Sequence, residues 1–136
     1  MRINGILETA LYVADPAVTA AFYRRLFGFS TLLESERPVA LDVAGKNVLL
    51  LFRIGSTGEP FDTDGGIIPG HAGESPTHFA FSISAEDVEP WIRKLESEGL
   101  AVESVVTWPR GAKSIYFRDP DGNLAELMSP GFWRTY

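Results

Sequence analysis

Hydrophobic positions along this chain change period twice, in the same order each time. Residues 3–13 alternate loosely and are rich in Ile, Leu, Tyr and Val, the pattern of a buried strand. Asp15 and Pro16 supply an N-cap residue and a proline at the first helical position. Ala21, Phe22, Leu26 and Phe27 then recur at helical spacing up to Gly28, which predicts a helix over 17–27 with a glycine stop. Three short strand-like runs follow at 29–35, 38–44 and 47–54, with Gly45 at the turn before the last. Residues 55–76 break the pattern. They hold six glycines and three prolines with little periodicity, and predict a long loop or linker of the kind that often carries function.

The pattern then restarts. Residues 77–83 read as a strand, and Ser84 with Asp87 resembles a capping box for a helix near 85–98. Pro90 falls early in that helix, where a missing N–H costs least. Trp91 and Leu95 share its apolar face, and Gly99 ends it. Strand-like runs at 101–107, 113–118 and 123–128 follow, separated by Pro109-Arg110-Gly111 and Asp119-Pro120-Asp121-Gly122. The order is therefore β-α-β-β-β, a linker, and β-α-β-β-β again. This is an α+β chain of two tandem modules, 1–54 and 77–136, joined by 55–76 into one domain spanning 1–136. Laid over each other, the halves set Glu8 on His78 and Gly28 on Gly99. Matching Gly45 to Gly122, or Asn47 to Asn123, leaves the last strand in two possible registers. In both, a leucine of the first half stands opposite Glu126.

Strand alternation puts Phe79, Phe81 and Ile83 on one face, towards the second helix, and His78, Ala80 and Ser82 on the other. Leu124, Glu126 and Met128 share a face of the last strand. Glu126 is a lone carboxylate in an apolar strand, and Glu8 stands likewise among Ile6, Leu7, Ala10 and Leu11. An ionised carboxylate in a buried strand needs an ion pair, a raised pKa or a metal, and the plain alternative is that Glu8 and Glu126 pair with Arg or Lys or sit on an exposed edge. A lone His78 would read as a core histidine. Its repeat equivalence with Glu8, and Glu126 in the same half, instead suggest that the three converge. One imidazole and two carboxylates suit Zn²⁺, Ni²⁺, Mn²⁺, Co²⁺ or Fe²⁺ and leave positions open for water or substrate. Tyr116 alternates with Ser114 and Arg118 and is turned towards this site. Trp108 and Arg110 on the neighbouring hairpin are further candidates for substrate contact. Arg53 and Arg118 are expected to form ion pairs, and His71 reads as a solvated loop histidine. Phe132-Trp133 is an apolar pair suited to a partner subunit.

Composition narrows the field. Of 136 residues, 45% are hydrophobic and 22% charged, as in ordinary globular proteins. The absence of cysteine excludes disulfides, thiolate ligands and a cysteine nucleophile, and fits a cytoplasmic location. A net charge of −6 with no basic stripe argues against a nucleic-acid partner. No apolar run approaches membrane-spanning length, and the opening segment reads as a strand rather than a signal peptide.

These residues resemble the vicinal oxygen chelate superfamily, which includes glyoxalase I, extradiol dioxygenases, and fosfomycin- and bleomycin-resistance proteins. The resemblance covers nearly the whole chain. Ser114 to Leu127, with its Asp-Pro-Asp-Gly turn and Glu126, is similar to the family's closing hairpin, whose glutamate is a metal ligand. Thr77-His78-Phe-Ala-Phe is similar to the strand whose histidine is another ligand, and Glu8 falls on the first-strand ligand position. Glyoxalase I proteins carry a further ligand on the last strand of the first half, where this chain has Val48-Leu-Leu-Leu-Phe52. The resemblance implies a concave site between curved mixed sheets, a homodimer in which modules of different chains complete one site, and a divalent metal held by Glu8, His78 and Glu126. It also implies a metal-dependent isomerase, lyase, thiol transferase or oxygenase acting on a small oxygen-bearing substrate, with Glu8 or Glu126 moving a proton. The alternative it leaves is a metal-free protein that sequesters a small ligand.

Overall fold

Each half of the chain builds one four-stranded mixed sheet with a helix on its apolar face. The computed structural model describes residues 1–136, which form two units, Met1–Ser75 and Pro76–Tyr136. In the first unit, β1 (Glu8–Val13) is followed by α1 (Pro16–Phe27), β2 (Thr31–Glu34), β3 (Pro38–Val43) and β4 (Asn47–Arg53). The sheet order is β1-β4-β3-β2, with β1 parallel to β4 and the other pairs antiparallel. The Asp15 side chain accepts from the Ala17 N–H at 2.9 Å, and Gly28 ends α1 in the left-handed region at φ 73°. Phe22, Tyr23 and Leu26 of α1 pack with Leu11, Val13, Leu49 and Leu51, all buried. Each of these large side chains contributes about 1.5–3 kcal/mol on burial.

Residues 55–75 belong to this unit, and they are not a structureless linker. They carry a small hairpin of β5 (Phe61–Thr63) and β6 (Gly66–Ile68). The strand expected from residue 3 begins only at Glu8. Its partner β4 starts at Asn47, whose side chain and following N–H reach the Ile6 and Leu7 carbonyls, and residues 3–5 lie beyond that ladder; Ile3, Ile6 and Leu7 are exposed.

The second unit repeats the plan with β7 (His78–Ser82), a 3-10 turn over Ala85–Asp87, α2 (Val88–Ser97), β8 (Ser104–Thr107), β9 (Lys113–Arg118) and β10 (Leu124–Met128). Its sheet order is β7-β10-β9-β8, again with one parallel pair, β7 and β10. Ser84 makes no side-chain cap, because the 3-10 turn uses its carbonyl instead, accepting from the Asp87 N–H at 3.1 Å. Leu95 and Val88 are buried with Ile115, Phe117, Ala125 and Leu127.

The two ladders settle the register between halves. Glu8 pairs with Val48 and His78 pairs with Leu124. With Glu8 equivalent to His78, Asn47 matches Asn123, and Leu50 is the counterpart of Glu126. No helix is long and apolar enough to cross a membrane.

Candidate metal centre

In the second unit β10 lies between β7 and β9, and the face opposite α2 carries Leu124, Glu126 and Met128. Glu126 is cross-strand partner of Tyr116 on one side and Ala80 on the other, while His78 pairs with Leu124 one step along. The small Ala80 leaves the diagonal open, and His78 Nε2 stands 3.3 Å from Glu126 Oε2. The Glu126 side chain is 7% exposed and that of His78 50%. His78 Nδ1 lies 3.0 Å from the Leu124 carbonyl oxygen. A carbonyl only accepts, so Nδ1 carries a proton and Nε2 is the atom turned to the carboxylate. Nε2 meets it either as the donor of a protonated ring or as a ligand that shares a metal with it. A divalent metal fits the donor set, and the carbonyl-anchored imidazole is the usual orientation of a metal-ligating histidine.

The turn before β10 holds this pair in place. Asp119 Oδ1 accepts from the backbone N–H groups of Asp121 and Asn123, both at 2.9 Å. The Asn123 amide donates to Asp119 Oδ2 at 2.9 Å and accepts from the Thr77 N–H at 2.8 Å. A fully buried asparagine thus ties the turn to the residue preceding His78. Tyr116 borders the pair as the cross-strand partner of Glu126. Burial pushes its phenol above the usual range. The Glu126 carboxylate adds to that rise, against a hydrogen bond with Ser114 that lowers it.

Trp108 and Arg110 are engaged elsewhere in this unit. Trp108 Nε1 donates to Ser114 Oγ at 2.8 Å, and its ring lies 4.5 Å from that of Phe132. Arg110, in the left-handed region at φ 76°, donates to the Phe132 carbonyl at 2.7 Å. Both hold the C-terminal segment. Arg118 forms the expected ion pair, with Glu103 at 3.0 Å. Arg53 instead donates to the Ala14 carbonyl at 2.8 Å, since the parallel neighbour β1 ends beside it.

In the first unit, Glu8, Ala10 and Tyr12 of β1 alternate on the face away from α1, beside Leu50 and Phe52 of β4. This face, with the β2–β3 turn and the β5–β6 hairpin, encloses a cavity of about 770 Å³. Glu8 borders it and is exposed. The expectation that Glu8 is a buried carboxylate fails, because it opens the edge strand β1 beside Ile6 and Leu7, whose side chains are themselves exposed and do not cover it. His71 is not a solvated loop residue. Its Nδ1 meets the Tyr12 hydroxyl at 2.5 Å, and its ring stands edge-on to Phe52 at 5.0 Å. Tyr12, Arg37 and His71 of this cavity carried no sequence motif. Arg37 is marked only as a charge placed directly before an apolar strand. The chain gathers no group of three or more His, Asp or Glu side chains into a cluster able to hold a metal; His78 and Glu126 meet in the second unit, and Glu8 stands in the first.

Comparison with known proteins agrees with this architecture. The model of the glyoxalase/bleomycin resistance protein/dioxygenase superfamily matches residues 5–127. The chain is 32% identical over 127 residues to a metallothiol transferase FosB of Bacillus licheniformis, covering 93% of this chain and 75% of that one. Among solved structures, lactoylglutathione lyase from Agrobacterium tumefaciens is 32% identical with a TM-score of 0.88, over 98% of this chain and 99% of that one. FosX of Listeria monocytogenes, complexed with Mn(II) and sulfate, shares the fold at a TM-score of 0.70 and 23% identity, over 96% and 94% of the two chains. With its repeated modules and a family match across nearly all of its length, the chain belongs to the glyoxalase/bleomycin resistance protein/dioxygenase superfamily.

Proposed function

We propose that this chain is a divalent-metal-dependent enzyme that adds a thiol to a small oxygen-bearing electrophile, with Glu8, His78 and Glu126 as the metal ligands. The observation that carries this reading is the buried Glu126 carboxylate 3.3 Å from Nε2 of a carbonyl-anchored His78. Similarity to a metallothiol transferase supports thiol addition over the other chemistries of the superfamily. Glu8 holds the same register position in its module as His78 does in the other. A homodimer that pairs the first module of one copy with the second of another completes the set.

A bound divalent ion supplies a Lewis acid that stabilises the oxygen anion developing on the electrophile. Glu8, the more exposed carboxylate, accepts the thiol proton as sulfur attacks and returns it to the released oxygen. A carbon–sulfur bond forms, a carbon–oxygen bond breaks, and no electrons are exchanged with another reagent. Tyr116, held protonated by burial, is placed across the strands from Glu126 to donate to that carboxylate and orient it.

Elemental analysis of purified protein tests the ligand set. Wild type should retain a divalent metal in stoichiometric amount, and His78→Ala and Glu126→Gln should lose it together with thiol consumption in the presence of a small epoxide. Unchanged metal content in both variants would sink the proposal. A monomer by light scattering that still binds the metal would refute the dimer.

A further inference from the structure

Thr57 and His71 close a loop in the first unit. The Thr57 carbonyl accepts from the His71 N–H at 2.8 Å, and the Thr57 hydroxyl donates to the His71 carbonyl at 2.6 Å. Thr57 is buried. One residue further in, the two backbones press together, and a Cβ on Gly70 would fall 2.1 Å from the Gly58 carbonyl oxygen. Residues 58–70 thus leave and return through one narrow neck, the form of an Ω-loop. Beyond the neck, β5 and β6 pair only with each other, and the Thr63 hydroxyl donates to the Gly66 carbonyl at the tip. The loop is a self-contained body that shares no ladder with the four-stranded sheet. It brings Phe61 and Ile68 to the wall of the cavity of about 770 Å³. It meets the β2–β3 turn at Arg37, whose guanidinium lies 4.7 Å from the Phe61 centroid. That contact carries two opposed contributions. The stacking is favourable, but Arg37 Nη2 is buried without a hydrogen-bond partner, which costs about as much as the stacking returns. Moving the loop off the sheet gives that N–H to water and loses the ring, so the closed position is shallow.

We propose that residues 58–70 are a hinged lid over this cavity, turning on the Thr57–His71 neck and latched by Arg37 on Phe61. The lid opens for a ligand to enter and closes behind it to exclude water. It moves as a rigid body, because the hairpin keeps its own hydrogen bonds in either position. Calling the admitted ligand the substrate rests on the function proposed above, since Glu8 borders the same cavity. The hinge and the latch depend only on residues of the first unit.

Distance measurement between two spin labels tests the lid, and the absence of cysteine makes site-specific labelling direct. Val18→Cys on α1 and Ile67→Cys on β6 place the labels at exposed positions. The helix lies on the sheet face away from the cavity, so opening lengthens the distance. The labelled full chain should show two distances, one short and one long. Phe61→Ala removes the ring from the latch and should raise the ratio of long to short by about 3-fold or more. Arg37→Leu removes the unpartnered N–H while keeping an apolar contact with Phe61, and should lower the ratio by about 3-fold or more. Unfolding cannot produce that second shift. Gly70→Ala forces the neck apart and should deplete the short distance. A single distance shared by the unsubstituted background and all three variants would overturn the proposal. So would Phe61→Ala and Arg37→Leu moving the ratio in the same direction. The labels need neither metal nor thiol. A rigid loop in a protein that retains metal therefore defeats the lid alone, and a moving loop in a protein that never retains metal defeats the metal-dependent reading alone.

Discussion

Replacing Glu126 by leucine sets the proposed metal site against the stability of the fold. Glu126 is 5% exposed and flanked on its face by Leu124 and Met128, with Tyr116 and Ala80 across the strands. The first module fills the equivalent position with Leu50. The substitution removes the carboxylate acceptor across the strands from the Tyr116 hydroxyl, a loss of about 1 kcal/mol. It also removes the contact with His78, which solvent screening holds below about 1 kcal/mol because that imidazole is half exposed. Against this stand relief of a buried carboxylate's desolvation and burial of a leucine worth about 1.5–3 kcal/mol. The metal-free variant is therefore expected to match wild type or exceed it by about 2 kcal/mol, a melting shift of roughly 0–8 °C. Melting followed by circular dichroism in chelator measures this. Repeating it with Zn²⁺ or Mn²⁺ at a hundred times the dissociation constant should stabilise wild type by about 2.7 kcal/mol and leave the variant unmoved, reversing their order. A variant destabilised by about 2 kcal/mol or more in chelator would make Glu126 a structural carboxylate, like one half of a buried pair that fails when the other is lost. Metal stabilisation surviving in the variant would refute its role as a ligand.

Asn123→Ala removes the partner of a buried Asp119 Oδ2 and of the Thr77 N–H at the site's edge, and should cost about 1–3 kcal/mol in denaturant unfolding and weaken metal retention by loosening the start of β7. A loss under about 1 kcal/mol would mean that the turn holds itself through its backbone. Gly73→Ala puts a Cβ 2.2 Å from the Tyr12 ring, so the ring must shift and release His71. The melt should show a loss of about 1–3 kcal/mol, and an unchanged melt would show that Tyr12 has room to move.

Much of the fold was legible because it is written in local signals. The cap at Asp15, the stop at Gly28 and the hairpin turn from Asp119 to Gly122 each act within a few residues, and each appears where expected. The repeat of the two modules follows from the same periods occurring twice. His78 and Glu126 were legible as a pair because each interrupts an apolar strand. The exposure of Glu8 was not legible, because its apolar neighbours Ile6 and Leu7 start an edge strand and leave their own side chains uncovered.

The sequence by itself determined which residues share a face, since a strand alternates every two residues and a helix turns every 3.6. It thereby determined that His78 and Glu126 point away from the helical core. Only the tertiary structure decided the register that places Leu50, rather than Leu49, opposite Glu126, because β1 and β4 pair across about 40 residues of intervening chain. It alone brought His71 from a glycine-rich segment onto Tyr12, and left Arg37 stacked on Phe61 with a buried N–H and no acceptor. Those contacts join residues far apart in the chain, and no local period encodes them.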